Sequence, residues 1–409
     1  MSNRVVVTGA GTISCLGADW LQISGRLKKL QGGVRLMSEW QCYDDLNTRL
    51  AAPIDDFSMP PSYTRKKLRA MGRVAQLAVR ASELALKDAG LFNDPILRSG
   101  QTGVAYGSAT GSSAAAMEFF GLLENNSMER VNGSTYLRMM SHSAAVNISI
   151  LFGTTGRLYT TSSACTAGSQ GIGQGFEAIR HGQQTVMLCG GAEELCPTQA
   201  AVFDVVGATS TRNDQPDTNP RPFDKERDGL VIGEGACTLI LENLEHAQAR
   251  GANILAEVIG YETNTDGAHV VKPKKENMEK VMRLALDNAG LAPSDIGYIS
   301  AHGTATRHGD IAESQASYTL FGGNVPISSL KSYTGHTLGA CGAFEAWASI
   351  MMMREKWFAP TINLNEPDSE CADLDYIQHA IRPIDTDIVM SNNFAFGGIN
   401  TSLIFKRWQ

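Results

Sequence analysis

The 409-residue sequence is poor in charged and aromatic residues, which make up 19% and 7% of it. Hydrophobic residues reach 43%, so the chain can bury a large core, and a disordered protein is excluded. None of the eight cysteines forms a C-x-x-C pair, and the chain is long, which argues against a zinc ribbon and a disulfide framework. No uncharged apolar run approaches about 18 residues, which excludes a membrane-spanning helix.

An excess of positive charge is also lacking. Lysine and arginine number 35 against 42 aspartate and glutamate residues, a net charge of −7 that disfavours a nucleic-acid partner. The first residues, MSNRVVVTGAG, show no signal-peptide pattern, so we expect a cytoplasmic protein. Glycine is abundant instead, at 41 residues, and indicates many tight turns and close backbone approaches.

Short apolar runs alternate with longer segments of helical periodicity. Helices are predicted over 71–88 and 278–288, each closed by a glycine. Strands are predicted at 5–8, 103–106, 185–188, 237–241, 254–260, 298–301, 326–327 and 401–405. The alternation predicts an α/β fold with largely buried sheets.

Two pairs of segments resemble each other within the chain. Residues 82–91 (SELALKDAGL) are similar to residues 282–291 (MRLALDNAGL). Residues 162–179 and 332–350 are each a polar turn followed by a small-residue helix containing Phe-Glu-Ala. The pairs suggest a duplicated fold, with chance similarity in a Gly/Ala-rich chain as the alternative.

The division between the two halves is expected in the polar, helical stretch 242–253. We therefore predict one half over residues 1–250 and the other over residues 251–409. No proline-rich linker separates them in the sequence.

The segment Gly9-Ala10-Gly11 follows a predicted strand and partly matches a dinucleotide-binding fingerprint. Ser14 stands where the third glycine belongs, and residues 26–36 contain no acidic residue for a ribose. A structural strand-to-turn is the favoured interpretation, and a nucleotide-binding oxidoreductase is the disfavoured one.

Cys165 lies in a polar turn, TTSSACTAGS, that leads into a helix of small residues. A cysteine near a helix N-terminus is close to unpaired N–H groups, which favour the thiolate. Cys165 is thus a candidate nucleophile, although most cysteines are inert and buried.

Two histidines stand in motifs that suit catalysis. His302 ends a predicted strand in HGTAT, where the hydroxyls of Thr304 and Thr306 could bind a polar ligand. His336 opens a glycine-rich helix, where the helix dipole disfavours imidazolium and favours a neutral hydrogen-bond donor.

The C-terminal segment NNFAFGGIN combines aromatic residues with the pair Gly397-Gly398. Such a turn suits backbone donors that bind an oxyanion, and it also suits a hairpin turn into the last strand. Separately, the run Arg65-Lys66-Lys67, followed by Arg69, is a local basic patch in an acidic chain and could dock an acidic partner.

Together these motifs resemble the elongating, decarboxylating β-ketoacyl-acyl-carrier-protein synthases of the thiolase superfamily. The resemblance covers nearly the whole chain and rests on motifs in the family's order. They are VVVTGAG, SSACTAGSQ, RPFDKERDGLVIGEGA, HGTAT, LKSYTGHTLGA and NNFAFGGIN. It implies a duplicated, five-layered α/β/α/β/α thiolase-like fold that acts as a homodimer, with a heterodimer as the alternative.

The resemblance also implies roles for individual residues. Cys165 would be the nucleophile of a Cys-His-His triad with His302 and His336, oriented by Lys331 and Glu345. Backbone N–H groups of Cys165 and Phe396 would form the oxyanion hole, and Phe396 would act as a gate. The expected substrate-binding residues are Thr304, Thr306, Thr110 and Phe394. The expected carrier-docking residues are Arg65, Lys66, Lys67, Arg69 and Arg212.

The implied reaction is a decarboxylative condensation of a Cys-bound acyl chain with malonyl-acyl-carrier protein. The partners would be acyl carrier protein and malonyl-acyl-carrier protein, and the acyl groups would ride on phosphopantetheine. No metal and no redox cofactor is expected.

Related functions fit the motifs less well. A biosynthetic thiolase would have a second cysteine near Gly397, an initiating synthase would have Asn in place of His336, and a non-catalytic chain-length factor would lack Cys165. A cysteine hydrolase would leave the second histidine and Lys331 unexplained.

Some residues depart from the motifs that are usual in the housekeeping synthases of fatty-acid elongation, and these departures affect which substrate is expected. Arg307-His308 replaces Pro and an apolar residue, Val271 removes a hydroxyl, and Ile399 replaces Thr. Thr110 is a small polar residue where the family lines the far acyl pocket. A specialised ketosynthase, as in aryl polyene formation, is therefore an alternative to fatty-acid elongation.

Overall fold

The computed structural model describes residues 2–409, in which fifteen strands and thirteen α-helices are formed. The strands are β1 Val5–Ser14, β2 Arg35–Leu36, β3 Leu50–Ala52, β4 Thr102–Gly107, β5 Leu158–Thr160, β6 Val186–Glu193, β7 Ile232–Gly233, β8 Gly235–Asn243, β9 Ala256–Thr265, β10 Tyr298–Ser300, β11 Ile327–Ser328, β12 Trp357–Phe358, β13 Arg382–Pro383, β14 Ile388–Ala395 and β15 Ile399–Arg407.

The helices lie between these strands. They are α1 Trp20–Lys28, α2 Arg65–Leu68, α3 Arg73–Asp88, α4 Ser113–Asn125, α5 Gly133–Met139, α6 Ser143–Phe152, α7 Ala167–Arg180, α8 Pro197–Asp204, α9 Leu244–Ala249, α10 Lys275–Ala289, α11 Arg307–Phe321, α12 Lys331–Thr334 and α13 Cys341–Glu355. Among them, no helix has the length and apolar character needed to cross a bilayer.

The strand order shows that the fold is duplicated. Ten strands follow the order β11-β10-β14-β15-β9-β1-β8-β6-β4-β5, which divides into two arrays of five joined where β1 pairs with β9. We number the five strands of each array in chain order. From the outer edge of the sheet to its centre, both arrays then contain the third, second, fourth, fifth and first strand. In both arrays the second strand is parallel to the third and the fourth. The fifth strand is antiparallel to the fourth and the first.

Helices cover both faces of these arrays. α7 packs on β4 and β6, α13 packs on β14, and the two helices contact each other in the central layer. α3 packs on β1 and β8, and α10 packs on β9 and β15, which forms the outer layers. The predicted five-layered α/β architecture is confirmed.

Glycines allow the layers to approach closely. A Cβ at Gly9 would lie 2.7 Å from the carbonyl oxygen of Ala85, and one at Gly260 would lie 2.8 Å from that of Ala285. Gly168 meets the start of α13 in the same way, 2.9 Å from the Ala343 nitrogen. Part of the glycine excess therefore serves contacts between backbones.

The predicted strands and helices lie on or next to observed ones, with two local differences. Gly9–Ser14 continues β1 as a bulged strand instead of forming a turn, because Gly9 packs against α3. Residues 388–395, which no strand prediction covered, form buried β14 and pair with β15 through the Gly397-Gly398 turn. The division at residue 250 stays a prediction; α9 ends at Ala249 and β9 begins at Ala256.

Candidate active site

Cys165 is held in a strained turn at the start of the central layer. A 3₁₀ turn covers Ala164–Thr166, and Ala164 has a φ of 50°, in the left-handed region that a non-glycine residue rarely adopts. The Thr161 hydroxyl donates to the Ala167 carbonyl at 2.7 Å and ties this turn to the end of β5. The buried Cys165 sulfur thereby faces a cavity instead of the core of α7.

The protonation state of Cys165 differs from the expectation. Burial raises the pKa of the Cys165 thiol to about 12, although Lys331 and the backbone N–H groups of Phe396 and Cys165 act in the opposite direction. Desolvation therefore outweighs the helix terminus in the unloaded enzyme, and the resting group is a thiol. The same two N–H groups converge on the sulfur, which is the arrangement predicted for an oxyanion hole.

His336 is a neutral hydrogen-bond donor to this sulfur. Its Nε2 lies 2.9 Å from Cys165 Sγ, while Nδ1 accepts from the Leu338 N–H at 3.3 Å. Since Nδ1 accepts, the ring proton is on Nε2. Burial, followed by the charge of Lys331, lowers the pKa of His336 well below its usual value.

His302 lies beside His336 with its ring nearly perpendicular, at 5.2 Å between ring centres. Buried Glu313 accepts the backbone N–H groups of His302 and Gly303, both at 2.7 Å, and so fixes the loop after β10. Burial, together with Lys331 and His336, lowers the pKa of His302 well below its usual value. Both imidazoles are therefore neutral near pH 7.

A buried chain of polar groups sets the tautomer of His302. Lys331 pairs with Glu345, and the other oxygen of Glu345 accepts from Asn393 Nδ2 at 2.7 Å. Because a carboxylate only accepts, this contact directs the Asn393 amide nitrogen inward, where it also lies 3.4 Å from His302 Nδ1. The amide donates to Nδ1, which leaves the His302 proton on Nε2.

The substrate channel is a cavity of about 330 Å³ that leads to Cys165 and both histidines. Thr304, Thr306 and Phe394 line it, and the two threonine hydroxyls lie 2.9 Å apart. Phe396 also lines it, packed against Phe203 with ring centres 4.9 Å apart. The predicted nucleophile, histidines, threonines and aromatic residues thus meet in one place.

Thr110 lies outside the lining of this cavity. Its hydroxyl donates to buried Glu193 at 3.1 Å and accepts from Gln199 at 2.9 Å. Glu193 also accepts the N–H groups of Ala109 and Gly339, and burial raises the pKa of Glu193 to about 7. Thr110 is thus engaged by protein groups next to the nucleophile.

The predicted docking cations also lie outside the cavity lining. The side chains of Arg65, Lys66, Lys67 and Arg69 are exposed on and next to α2. Arg212 donates to the Glu226 carbonyl at 2.9 Å and pairs with its carboxylate. The structure therefore leaves the α2 patch open to a partner, whereas Arg212 is already paired.

The site offers two sets of metal-ligating groups. Donor atoms of Cys165, His302 and His336 lie within 4.8 Å of one another, and so do those of His302, Cys341 and Glu345. The first set has three ligands and faces the cavity, as in an open site. Within it His336 is hydrogen-bonded to Cys165, whereas in the second set His302 and Glu345 are each bonded to Asn393.

The sequence analysis assigned no catalytic or binding role to several residues that support the site. Asn393, Glu193 and Glu313 act through neighbours that are distant along the chain, and Cys341 donates its thiol to the Cys165 carbonyl at 3.3 Å. Asn393 stands within the motif NNFAFGGIN, so its pairing with β15 was the signal that could have found it.

Comparisons with known proteins agree with this geometry. The family described as beta-ketoacyl synthase, N-terminal domain, matches residues 2–247, and beta-ketoacyl synthase, C-terminal domain, matches residues 255–365. The chain is 37% identical to 3-oxoacyl-[acyl-carrier-protein] synthase 2 of Synechocystis sp., covering 99% of this chain and 98% of that protein.

Solved structures extend the comparison. A β-ketoacyl synthase from Burkholderia phymatum is 55% identical with a TM-score of 0.98, and both chains are covered completely. A ketosynthase solved with its type II PKS acyl-carrier protein is 29% identical with a TM-score of 0.90, again over both full chains. The chain belongs to the β-ketoacyl synthase family, whose members are acyltransferases.

Proposed function

We propose that this protein is a 3-oxoacyl-[acyl-carrier-protein] synthase that elongates acyl chains by decarboxylative condensation. The observation that carries the proposal is the placement of two neutral imidazoles beside Cys165, with His336 Nε2 at 2.9 Å from the sulfur. The full-length similarity to the Synechocystis enzyme supports the same activity.

In the first step the sulfur of Cys165 attacks the thioester carbonyl of an acyl carrier protein. The carbonyl oxygen becomes an oxyanion between the N–H groups of Cys165 and Phe396. Collapse forms the acyl-Cys165 thioester, and the departing pantetheine sulfur takes the proton of the Cys165 thiol. Thr304 and Thr306 lie where they would hold the pantetheine arm.

In the second step malonyl-carrier protein loses carbon dioxide, and the electron pair of the broken C–C bond forms an enolate. The Nε2–H groups of His302 and His336 donate to the enolate oxygen, which neutral imidazoles do without carrying charge into a buried site. The enolate carbon attacks the acyl-Cys165 carbonyl, and the departing Cys165 thiolate takes a proton from water. The proposed reaction needs no metal and no redox cofactor.

A second subunit is part of the proposal. β5 is an edge strand, and its Leu158 is exposed, as are Met117, Phe120 and Leu123 on α4. An open strand edge and exposed apolar side chains each favour association with another chain. We propose a homodimer, with a related partner subunit as the alternative; the mass of the purified protein in solution distinguishes them.

A specialised ketosynthase remains the second candidate. The likeness to a type II PKS ketosynthase favours it. The acyl groups that the enzyme accepts would distinguish fatty-acid elongation from a specialised pathway.

The test combines condensation with adduct mass spectrometry across a panel of acyl-carrier proteins. We expect acyl adducts on Cys165, release of labelled carbon dioxide from malonyl-carrier protein, and a 3-ketoacyl product. A folded wild-type enzyme that forms neither adduct nor carbon dioxide with any primer would show that the proposal is wrong. Preference for saturated or for polyenoyl and aryl primers separates the two pathways.

A further inference from the structure

The catalytic cluster of Cys165, His302 and His336 has the composition and spacing of a metal site. Its donor atoms lie within 4.8 Å of one another, and the three buried side chains line the channel. A thiolate with two imidazoles suits Zn²⁺, and the channel side would leave a fourth position open. Because an ion bound there would occupy the sulfur, the nucleophile stays free only if the two imidazoles are poor ligands.

The contacts of His336 make it a poor ligand. A metal-bound imidazole has its proton on the other ring nitrogen and almost always donates that proton to an acceptor. In His336 the other nitrogen, Nδ1, instead accepts the N–H of Leu338 at 3.3 Å, while Nε2 faces the Cys165 sulfur at 2.9 Å. Metal binding through Nε2 would move the ring proton to Nδ1, where it would meet a second donor.

Asn393 has the same effect on His302 through a side chain. Its Nδ2 lies 3.4 Å from His302 Nδ1 and donates to a Glu345 oxygen at 2.7 Å. If the amide turned its oxygen toward His302, that oxygen would also face the Glu345 carboxylate, which only accepts. Glu345 is itself held by the buried ion pair with Lys331. The amide therefore keeps its nitrogen at Nδ1 and the ring proton on Nε2.

Both imidazoles thus present an N–H group beside Cys165, and neither presents a free lone pair. Two such donors bind an oxygen that carries negative charge and disfavour a cation. We propose that Asn393 is a positioning residue which, together with the Leu338 N–H, keeps soft divalent cations away from the catalytic cluster. The inference concerns metal binding and goes beyond the proposed condensation reaction.

The test is Asn393→Asp, which replaces the amide by a group of nearly the same size that accepts a hydrogen bond from His302 Nδ1. The new carboxyl group can share a proton with Glu345 and still accept at His302. The ring proton then moves to Nδ1, and Nε2 becomes a ligand. We expect Zn²⁺ to bind Asn393→Asp at least about tenfold more tightly than wild type, because contacts of this kind change metal affinity by about 10- to 100-fold. Titration calorimetry with zinc chloride measures the affinity.

Two further measurements show where the ion binds. In the double variant Cys165→Ala/Asn393→Asp the gain in affinity should disappear, and any zinc that this variant still binds is held elsewhere on the chain. Co²⁺ serves as an optical probe in place of Zn²⁺. A sulfur-to-cobalt absorption band in Asn393→Asp that is missing in the double variant would identify Cys165 as a ligand.

Asn392→Asp is the matched control. Asn392 precedes Asn393 in β14, is equally buried, and its amide contacts Met282 of α10 instead of His302. The variant therefore adds the same carboxyl group to the same strand without an acceptor at His302, and we expect its zinc affinity to stay within about twofold of wild type. Asn393→Leu removes the donor without adding a carboxyl group and should bind zinc more tightly than wild type by a smaller factor than Asn393→Asp. Denaturant unfolding checks that each variant is folded.

Equal zinc affinity of wild type, Asn393→Asp and Asn393→Leu would overturn the inference, because the amide would then have no influence on the metal. An equal gain in Asn392→Asp and Asn393→Asp would also overturn it, since added charge alone would explain the binding. These measurements follow metal binding and not turnover. A wild type that condenses nothing would overturn the proposed function, while the zinc series would still decide the role of Asn393.

Discussion

Each helix of the central layer is preceded by a 3₁₀ turn, Ala164–Thr166 before α7 and Leu338–Ala340 before α13. Both turns begin with a non-glycine residue in the left-handed region, with φ of 50° at Ala164 and 45° at Leu338. The second position holds Cys165 in one turn and Gly339 in the other. A Cβ at Gly339 would lie 2.9 Å from a Glu193 carboxylate oxygen, so no side chain fits there.

The difference shows how a duplicated frame acquires one active site. The turn before α7 opens onto the channel and presents a nucleophile, whereas the turn before α13 closes against Glu193, which accepts the Gly339 N–H at 3.2 Å. The second half contributes the histidines, which approach Cys165 from outside its own turn. Four predictions test how the two halves differ.

The largest effect is expected at the sulfur of the first turn. Cys165→Ala should lower condensation by about 10³-fold or more, because the acyl-enzyme cannot form. Cys341→Ala removes the other thiol at the start of a central helix and should cost less than about tenfold, since Cys341 packs against the turn without facing the channel. Steady-state turnover checks both; similar losses would contradict the division of roles between the turns.

The next effect concerns the histidines of the second half. His302→Ala and His336→Ala should each lower carbon dioxide release and condensation by about 10²- to 10³-fold, since each removes an enolate donor. The acyl adduct on Cys165 should still form and is followed by mass spectrometry. Loss of the adduct in His302→Ala would place this imidazole in acyl transfer instead.

The third prediction concerns protein stability and compares Glu345 with Glu177, the glutamates of the two Phe-Glu-Ala triplets. Lys331→Met leaves the Glu345 carboxylate buried without its partner and should cost about 3–5 kcal/mol in the free energy of unfolding. The double variant Lys331→Met/Glu345→Leu should recover much of this loss. Glu177→Gln, the exposed counterpart in α7, should change it by less than about 0.5 kcal/mol. Denaturant unfolding gives all three values.

The smallest effect is a pH dependence of stability. His302 and His336 have folded-state pKa values below their unfolded values, so the unfolded chain binds more protons in acid. The histidine contribution to stability should therefore fall as the pH drops below about 6.5, by up to about 1.4 kcal/mol per pH unit for each histidine. Glu193 and Glu313 oppose it in the same range, because burial raises their folded-state pKa values.

Unfolding midpoints between pH 7 and pH 5 measure this slope. The slope of the unfolding free energy against pH should be less positive in His336→Asn, which cannot titrate, than in wild type. His246, which lies partly exposed on α9 outside the channel, provides the control variant His246→Asn. Equal slopes in wild type and His336→Asn would show that His336 is not held neutral by burial.

The two pairs of similar segments in the sequence differ in whether their residues occupy equivalent positions in the structure. Residues 82–91 and 282–291 occupy equivalent positions, because Ala85 packs on Gly9 as Ala285 packs on Gly260. The Phe-Glu-Ala triplets lie on equivalent helices but are six residues out of register relative to the crossing of Gly168 with Gly342. As a result Glu177 is exposed and Glu345 is buried. A triplet that occurs in two equivalent helices therefore does not determine whether its glutamate is buried.

Local sequence patterns predict the α/β class and the main reacting groups, and they suggest the duplication. Apolar runs and helical periodicity predict the elements, and small residues around Cys165, His302 and His336 mark the places where a substrate approaches backbone. These signals are local, since they depend on spacing along a few residues.

The protonation states, the partners of the site residues and the lining of the channel depend on three-dimensional packing and do not follow from local sequence patterns. Burial raises the pKa of Cys165 against the local effect of a helix terminus, because desolvation depends on everything packed around the sulfur. Asn393 reaches Glu345 and His302 across 48 and 91 residues of chain. Val206 and Val270 line the same channel although 63 other residues separate them, a proximity that follows from how the halves pack and from no local pattern.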